Sequence, residues 1–284
     1  MTGVICGTGS CVPVHTLDNH DIAKLVDTSD EWIRERTGVV RRHIIEKETT
    51  VSMAAEAGKR ALEDARIGAD EVDMILVSTI SSDVVLPCAA CEVQRLLGAE
   101  NAVGFDLNAA CSGFVFAYQT AQAYIASGMC RTVLLIGSES LSNLTDWQDR
   151  GTCILFGDGA GAAVVRAVEG RSYKIAAHSD GGKGEALTCK SRFVKDWKKI
   201  PEKDTYMKMD GRAVFQFAVK RVTEVIGEIL RKNEMEIEEI DYFILHQANR
   251  RSSGEKAEDR DRQIPHESAG IWEYVFSEHS DFAG

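Results

Sequence analysis

Cys111 and His246 are the residues of this chain whose types and surroundings best fit covalent chemistry. Cys111 stands in Asn108-Ala109-Ala110-Cys111-Ser112-Gly113-Phe114, between an apolar run at 102–107 and an amphipathic stretch at 112–127. A thiol at a helix N-terminus meets free N–H groups and the positive end of the helix dipole, which favour thiolate and can bind an oxyanion. Its neighbours are also small, so a tight crossing that admits only a small side chain explains the same residues. Local sequence leaves both readings open. His246 closes Ile244-Leu245-His246-Gln247-Ala248-Asn249. A lone histidine at the mouth of a buried strand is often a satisfied core residue, but polar Gln247 and Asn249 follow it at once, where active-site groups collect in α/β folds. Cysteine plus histidine gives acyl transfer a nucleophile and a proton or charge partner. The remaining histidines lie in polar connections or in the C-terminal stretch.

Other motifs carry less. Cys88 and Cys91 form a C-x-x-C, which reads as a redox pair or half a zinc site; no second pair sits at zinc-ligand spacing. The plainer reading, taken here, is two buried thiols on a helix that begins at Pro87 and is closed by Gly98. Gly157-Asp158-Gly159-Ala160-Gly161 is followed by Ala-Val-Val-Arg, a strand and not a phosphate-binding helix, and Gly7-Thr8-Gly9 leads into Val12-Pro13. Both glycine clusters read as close backbone approaches. No permanently bound cofactor and no metal is expected.

The elements that must position these residues alternate. Apolar runs at 3–8, 73–79, 102–107, 132–138 and 161–166 read as strands, with helical patterns near 19–36, 51–67, 88–97 and 112–127. This is an α/β layered pattern with a largely parallel sheet. A second half follows, with a strand at 173–178, a helix at 212–233 and a strand at 242–246. The chain repeats: Ala61-Leu62 and Val72-Asp73-Met74-Ile75-Leu76-Val77 align without gaps on Ile229-Leu230 and Ile240-Asp241-Tyr242-Phe243-Ile244-Leu245, 168 positions on. In each copy an amphipathic helix ends in an acidic connector that launches an apolar strand, the mark of a duplicated unit. After Thr79 the first copy continues to about Gly170, whereas Arg250–Arg262 holds one apolar residue, Ala257, and shows no period. The second half therefore reads as incomplete.

Composition sets outer bounds. With 44% hydrophobic and 27% charged residues the chain is too apolar for disorder, and it has no run near the ~20 apolar residues of a membrane span. Met1 opens on no secretory signal, so a cytoplasmic, reduced set of eight cysteines is expected. A formal net charge of −11 argues against nucleic acid. An acidic protein partner requires a local basic patch.

With these residues placed, the chain resembles β-ketoacyl-acyl carrier protein synthase III, the initiating condensing enzyme of bacterial fatty-acid synthesis in the thiolase-like superfamily. The resemblance rests on D-T-S-D-E-W-I-R-E-R-T-G (27–38), N-A-A-C-S-G-F (108–114), G-D-G-A-G-A (157–162), M-D-G-R-A-V-F-Q-F-A-V (209–219) and H-Q-A-N-R-R (246–251), and spans Val4 to about Arg251. It implies an α/β thiolase-like fold, two similar βαβαβαββ halves in a layered αβαβα arrangement, and a homodimer. Residues 1–170 would form the half with the nucleophile, 171–251 a partial second half with the histidine, and 252–284 a tail outside the family, disordered or poorly packed. It implies that Cys111 takes an acyl group from acyl-CoA, acetyl-CoA being the expected starter. His246 would assist decarboxylation of malonyl-acyl carrier protein, whose carbanion attacks the acyl thioester. Trp32 and Arg150 match positions that sandwich the CoA adenine, Thr28 and Arg36 match further CoA contacts, and Asn249 a position near the pantetheine. Arg251 matches a basic residue of carrier-protein docking, and Leu86 a wall of the acyl pocket often occupied by Phe.

One departure stands out. The family's catalytic asparagine lies in a G-N-T-S-type loop beyond the H-Q-A-N strand, and residues 252–284 contain no such loop. Permitted codons for 267–281 read one base later give N-L-R-G-Y-G-N-T-S-S-A-N-I-P. Trp272-Glu273 forces glycine there, Glu273-Tyr274 permits only Asn or Ser, and Tyr274-Val275 only Thr or Met. A frameshift after about Arg251 accounts for this. The literal chain is then expected to be impaired in condensation; an inactive product, or a related condensing enzyme of secondary metabolism, are the alternatives.

Overall fold

The computed structural model describes residues 1–190, 205–246 and 274–276. In chain order the strands are β1 (Thr2–Cys11), β2 (Thr16–Asp18), β3 (Arg41–His43), β4 (Met74–Ser78), β5 (Val103–Leu107), β6 (Thr132–Ser140), β7 (Asp158–Val168), β8 (Leu187–Thr188), β9 (Lys208–Met209), β10 (Tyr242–Ile244) and β11 (Tyr274–Phe276). The helices are α1 (Asn19–Ile22), α2 (Asp30–Thr37), α3 (Thr50–Ala65), α4 (Ala89–Leu97), α5 (Gly113–Ala126), α6 (Arg150–Cys153) and α7 (Gly211–Asn233).

Five strands form one sheet in the order β1-β7-β6-β4-β5. Alternating helical and strand periods place helices on both faces. α3 and α4 bury Met53, Ala57, Ala61 and Val93 against Ile75, Val77, Leu134 and Ile136. On the opposite face α5 buries Phe114, Ala117 and Ile125 against Met74, Leu76 and Leu135. Central β4 and β6 are covered on both sides, which is why they read as unbroken apolar runs. The α3 layer lies very close: a Cβ on Gly9 would sit 2.3 Å from the Ala57 carbonyl oxygen, so β1 passes directly beneath the helix backbone only because the residue is glycine.

Three expectations are corrected. The sheet is mixed and not largely parallel: β4 pairs parallel with β5 and β6, while β7 is antiparallel to both β6 and β1. The connection from β6 to β7 holds only short turns and α6, and without a crossover helix the chain returns beside β6 in the opposite sense. The helical pattern at 19–36 is two helices, because two caps compete: the Asp18 carboxylate accepts from Asp21 N at 2.9 Å and the Ser29 hydroxyl from Trp32 N at 3.1 Å. The run 173–178 forms no strand. Asn233, at the end of α7, accepts from Lys174 N–H at 2.7 Å and donates to the Lys174 carbonyl at 2.8 Å, satisfying that backbone from a side chain.

In the second half, β10 pairs antiparallel with β11, Phe243 opposite Val275. The other residues of the stretch 252–284 lie outside the described residues.

Candidate active site

Cys111 is set by the way β5 gives way to α5. After Leu107 the chain makes a short 3-10 turn over Ala110–Ser112, in which Ala110 adopts a left-handed φ of 46°. That conformation costs an alanine on the order of 1 kcal/mol, held here by the turn bond from Ser112 N–H to the Ala109 carbonyl at 3.1 Å. Gly113 follows because nothing else fits: a Cβ there would lie 1.7 Å from Ser78 Oγ, at the end of β4. The small residues around the thiol thus do mark a tight crossing. The crossing also leaves Cys111 exposed at the head of a 14-residue helix. Asp106 locks the strand in place, its carboxylate accepting from Ala89 N at 2.8 Å and Ala90 N at 2.7 Å at the start of α4.

His246 follows β10. Its Nδ1 is buried and has no hydrogen-bond partner among the described residues. Burial pushes the imidazole below the ordinary histidine value, so the ring is neutral at pH 7. Cys111 and His246 line one cavity, together with Asn108, Ile80, Glu139 and Phe217. Its volume of about 3060 Å³ far exceeds the ~300–1,000 Å³ of a single-ligand pocket. It is the space between the first-half sheet and α7, which buries none of its residues.

A second cluster forms away from that cavity. Trp32, on α2, carries the Arg36 guanidinium 4.6 Å from its ring centroid, and the Arg150 guanidinium, from α6, lies 4.4 Å from the same centroid. Arg150 is oriented by a 3.0 Å bond from Nη1 to the Asp27 carbonyl. Thr28 Oγ1 is buried and has no hydrogen-bond partner among the described residues. Three of the residues named from sequence for CoA, Trp32, Arg36 and Arg150, therefore converge, and Thr28 directly follows the Asp27 whose carbonyl holds Arg150. Leu86 is 89% exposed and does not line the cavity of Cys111. Asn249 and Arg251 lie outside the described residues.

Two structural groups went unnoticed in the sequence. Arg42 is fully buried, donating from Nη1 to Asn19 Oδ1 at 2.9 Å and from Nε to the Ile154 carbonyl at 3.2 Å; desolvation lowers its pKa to about 10. Asn19 in turn donates to Asp30 at 2.8 Å, so this network fixes α2 relative to α6 and sets the Trp32–Arg150 contact. Glu139, at the end of β6, is a buried carboxyl on the cavity wall. It accepts from Ile80 N at 3.0 Å, from Thr79 Oγ1 at 3.3 Å and from Ser81 Oγ, and desolvation pushes it up to about 7. A charge inside the run Leu-Leu-Ile-Gly-Ser-Glu-Ser was the available signal.

The sheet order, the helical layers on both faces and the repeated helix–strand unit are those of a thiolase-like condensing enzyme. The sequence model for 3-oxoacyl-[acyl-carrier-protein (ACP)] synthase III matches residues 105–181. The beta-ketoacyl-[acyl-carrier-protein] synthase III of Clostridium acetobutylicum is 46% identical over 250 residues, 86% of this chain and 76% of that protein. That of Streptococcus mutans is 45% identical over 241 residues, 84% and 74% of the two chains. Among solved structures, 3-oxoacyl-[acyl-carrier-protein] synthase III from Aquifex aeolicus superposes with a TM-score of 0.80 at 41% identity, covering 88% of this chain and 78% of the other. The priming β-ketosynthase of the R1128 polyketide pathway gives 0.81 at 34% identity, covering 89% and 76%. The chain belongs to the β-ketoacyl-acyl carrier protein synthase III family of acyltransferases.

Proposed function

We propose that the chain carries out the initiating condensation of fatty-acid synthesis, joining an acyl group from acyl-CoA to malonyl-acyl carrier protein with release of CoA and CO2. The observation that carries this reading is the placement of Cys111 and His246 on one cavity, within a family of acyl-transferring relatives. In the first step the Cys111 thiolate attacks the acyl-CoA carbonyl and expels the CoA thiolate, leaving an acyl thioester on the protein. The adenine end of CoA lies against Trp32 between the arginines, with Thr28 Oγ1 available to it. In the second step malonyl-acyl carrier protein loses CO2. The neutral His246 ring donates to the enolate oxygen as charge develops, and the carbanion attacks the acyl carbonyl on Cys111. Asn249 and Arg251 are assigned to pantetheine and to carrier-protein docking.

A homodimer is part of this proposal. The outer edge of β5 ends the five-stranded sheet with Val103 58% exposed, and the nearby Val85 and Leu86 are exposed as well. An unpaired edge beside apolar side chains is surface that a second copy covers. No described helix is long and apolar enough to cross a membrane, and a cytoplasmic location is assigned with the function.

A second reading is favoured by the exposure of α7 and β10: the chain accepts the acyl group at Cys111 but condenses slowly, because the His246 side of the site is poorly packed. A third, a priming role in secondary metabolism, is supported by the likeness to the R1128 priming β-ketosynthase. Mass spectrometry after incubation with acetyl-CoA tests the shared first step. The acetyl group is expected on Cys111; labelling of Cys88 or Cys153 with Cys111 untouched overturns the assignment. Product formation from malonyl-acyl carrier protein then separates the first reading from the second, and carrier-protein dependence tests the third.

A further inference from the structure

The plain sequence reading of Cys88 and Cys91, two buried thiols inside a helix, does not describe what the fold does with them. Cys88 is the N-cap of α4, with extended φ and ψ of −65° and 155°, and Cys91 sits in the helix's first turn. Both are half-buried, and their Sγ atoms lie 3.4 Å apart. The backbone turn that sets this distance is closed by Cys91 N–H donating to the Cys88 carbonyl at 3.1 Å. The pair rests on β5, each sulfur about equally far from the Gly104 carbonyl oxygen, 4.0 and 3.9 Å. The Asp106 carboxylate holds the first N–H groups of the same turn, so the cap that carries the sulfurs is fixed to the sheet.

We propose that Cys88 and Cys91 form a redox-active dithiol that exchanges with low-molecular-weight disulfides, closing a reversible intramolecular disulfide at the head of α4. The geometry supplies what exchange needs. One sulfur stands half-buried at the helix cap, and a second stands within contact distance to resolve the intermediate. Cys88 attacks a sulfur of the small disulfide, releasing one thiolate and leaving a mixed disulfide on Cys88. Cys91 then attacks the Cys88 sulfur and releases the second thiolate. The protein loses two electrons and two protons, and the small disulfide is reduced to two thiols. The Sγ atoms move from 3.4 Å to a bond length of ~2.05 Å, a shift that side-chain torsions absorb. The neighbouring Cys88 sulfur raises the Cys91 thiol, the behaviour of two sulfurs sharing a proton. Among the described residues, burial also raises Cys6, Cys11, Cys130, Cys153 and Cys189.

The test equilibrates the full chain in mixtures of reduced and oxidised glutathione, quenches with acid, alkylates and digests with trypsin. Residues 67–95 form one tryptic peptide whose only cysteines are 88 and 91. It is expected to appear two hydrogens lighter and without alkyl groups as the mixture becomes oxidising, and to regain both alkyl groups on reduction. Because the fold already holds the sulfurs in contact, the disulfide should form at least ~10-fold more favourably in the folded chain than in the chain unfolded by urea. In Cys91→Ser the expected product is a persistent glutathione adduct on Cys88. A wild-type peptide that stays fully alkylated through the series, one found only as glutathione adducts, or a disulfide no more favoured in the folded than in the unfolded chain each overturns the proposal, whatever the variant does.

Discussion

The unit that runs from α3 to β4 and the unit that runs from α7 to β10 have the same backbone at the same spacing and opposite relations to water. α3 ends on Arg66 at φ 55°, ψ 44°, and α7 ends on Glu234 at φ 58°, ψ 42°. With Ala110 these are the only non-glycine residues of left-handed φ among the described residues. Each end is closed by the same bond, Ile67 N–H to the Leu62 carbonyl at 3.0 Å and Met235 N–H to the Leu230 carbonyl at 3.1 Å. Each then makes one turn of 3-10 helix with a glutamate side chain folded back on its start, Glu71 accepting from Gly68 N at 3.1 Å and Glu239 from Glu236 N at 2.7 Å, before its strand begins. Burial separates them. α3 buries nine residues and β4 all five, whereas α7 buries none and β10 leaves Tyr242 56% and Ile244 41% exposed. β4 has a strand on either side, β5 and β6, and helices over both faces; among the described residues β10 has β11 alone. Local sequence builds the helix, the turn and the strand start. Only neighbours turn that unit into core.

The largest effect should separate the chemical contributions of the two halves. Cys111→Ala is expected to remove the acetyl adduct completely. His246→Ala should leave adduct formation within about tenfold while lowering condensation by roughly 10²–10³, the usual loss for one donor to a developing oxyanion. Intact-mass labelling and product formation read the two steps; loss of the adduct in His246→Ala would show that both halves act in the first step.

Matched core positions sharpen the contrast in packing. Ile75 and Phe243 occupy equivalent places in β4 and β10. Ile75→Ala should cost about 2–5 kcal/mol because it opens a cavity among fully buried neighbours. Phe243→Ala, at a half-exposed site, should cost about 1 kcal/mol or less. Denaturant unfolding checks both. Equal losses would mean that the second unit is packed as firmly as the first.

Acid–base behaviour should also differ in sign between the halves. Glu139 titrates near 7 in the folded chain against 4.5 for an ordinary glutamate, so its contribution to stability is full below about 4.5 and is lost as pH rises to about 7. His246 is shifted downwards from 6.5, so its contribution is full above that value and is lost as pH falls through it. Thermal melts of Glu139→Gln should therefore lack the wild-type decline between pH 5 and 7. A variant whose melting temperature tracks wild type across that window would contradict the assignment of that decline to Glu139.

The smallest effect should be the same in both copies. Glu71→Ala and Glu239→Ala each remove one cap bond and should loosen their turn by about 0.5–1 kcal/mol, read by hydrogen exchange at the Gly68 and Glu236 amides. Unequal losses would show that tertiary contacts, and not local sequence, hold one of the turns.

The sequence by itself determined the local pieces: the strand cores of β4, β5 and β6, the helices α3, α4, α5 and α7, the repeat at 168 positions, and the positions of Cys111 and His246 just beyond their strands. These follow from periodicity, caps and residue chemistry acting over a few positions, which a single chain carries in plain view. The break between α1 and α2 was already present in Asp18 and Ser29, but two caps within one apolar period read as one helix until the hydrogen bonds choose. Tertiary structure alone decided the rest. Whether β7 returns antiparallel depends on the space beside β6. Whether 173–178 becomes a strand depends on Asn233 reaching its backbone first. Which carboxyl is buried against the cavity, how Arg42 ties α2 to α6, and how near Cys88 lies to Cys91 are set by elements distant in sequence or by a cap that only the packed sheet fixes. Burial, charge state and sulfur contact are properties of neighbours in space, and the physical reason they escape a one-dimensional reading is that each depends on which atoms have replaced water.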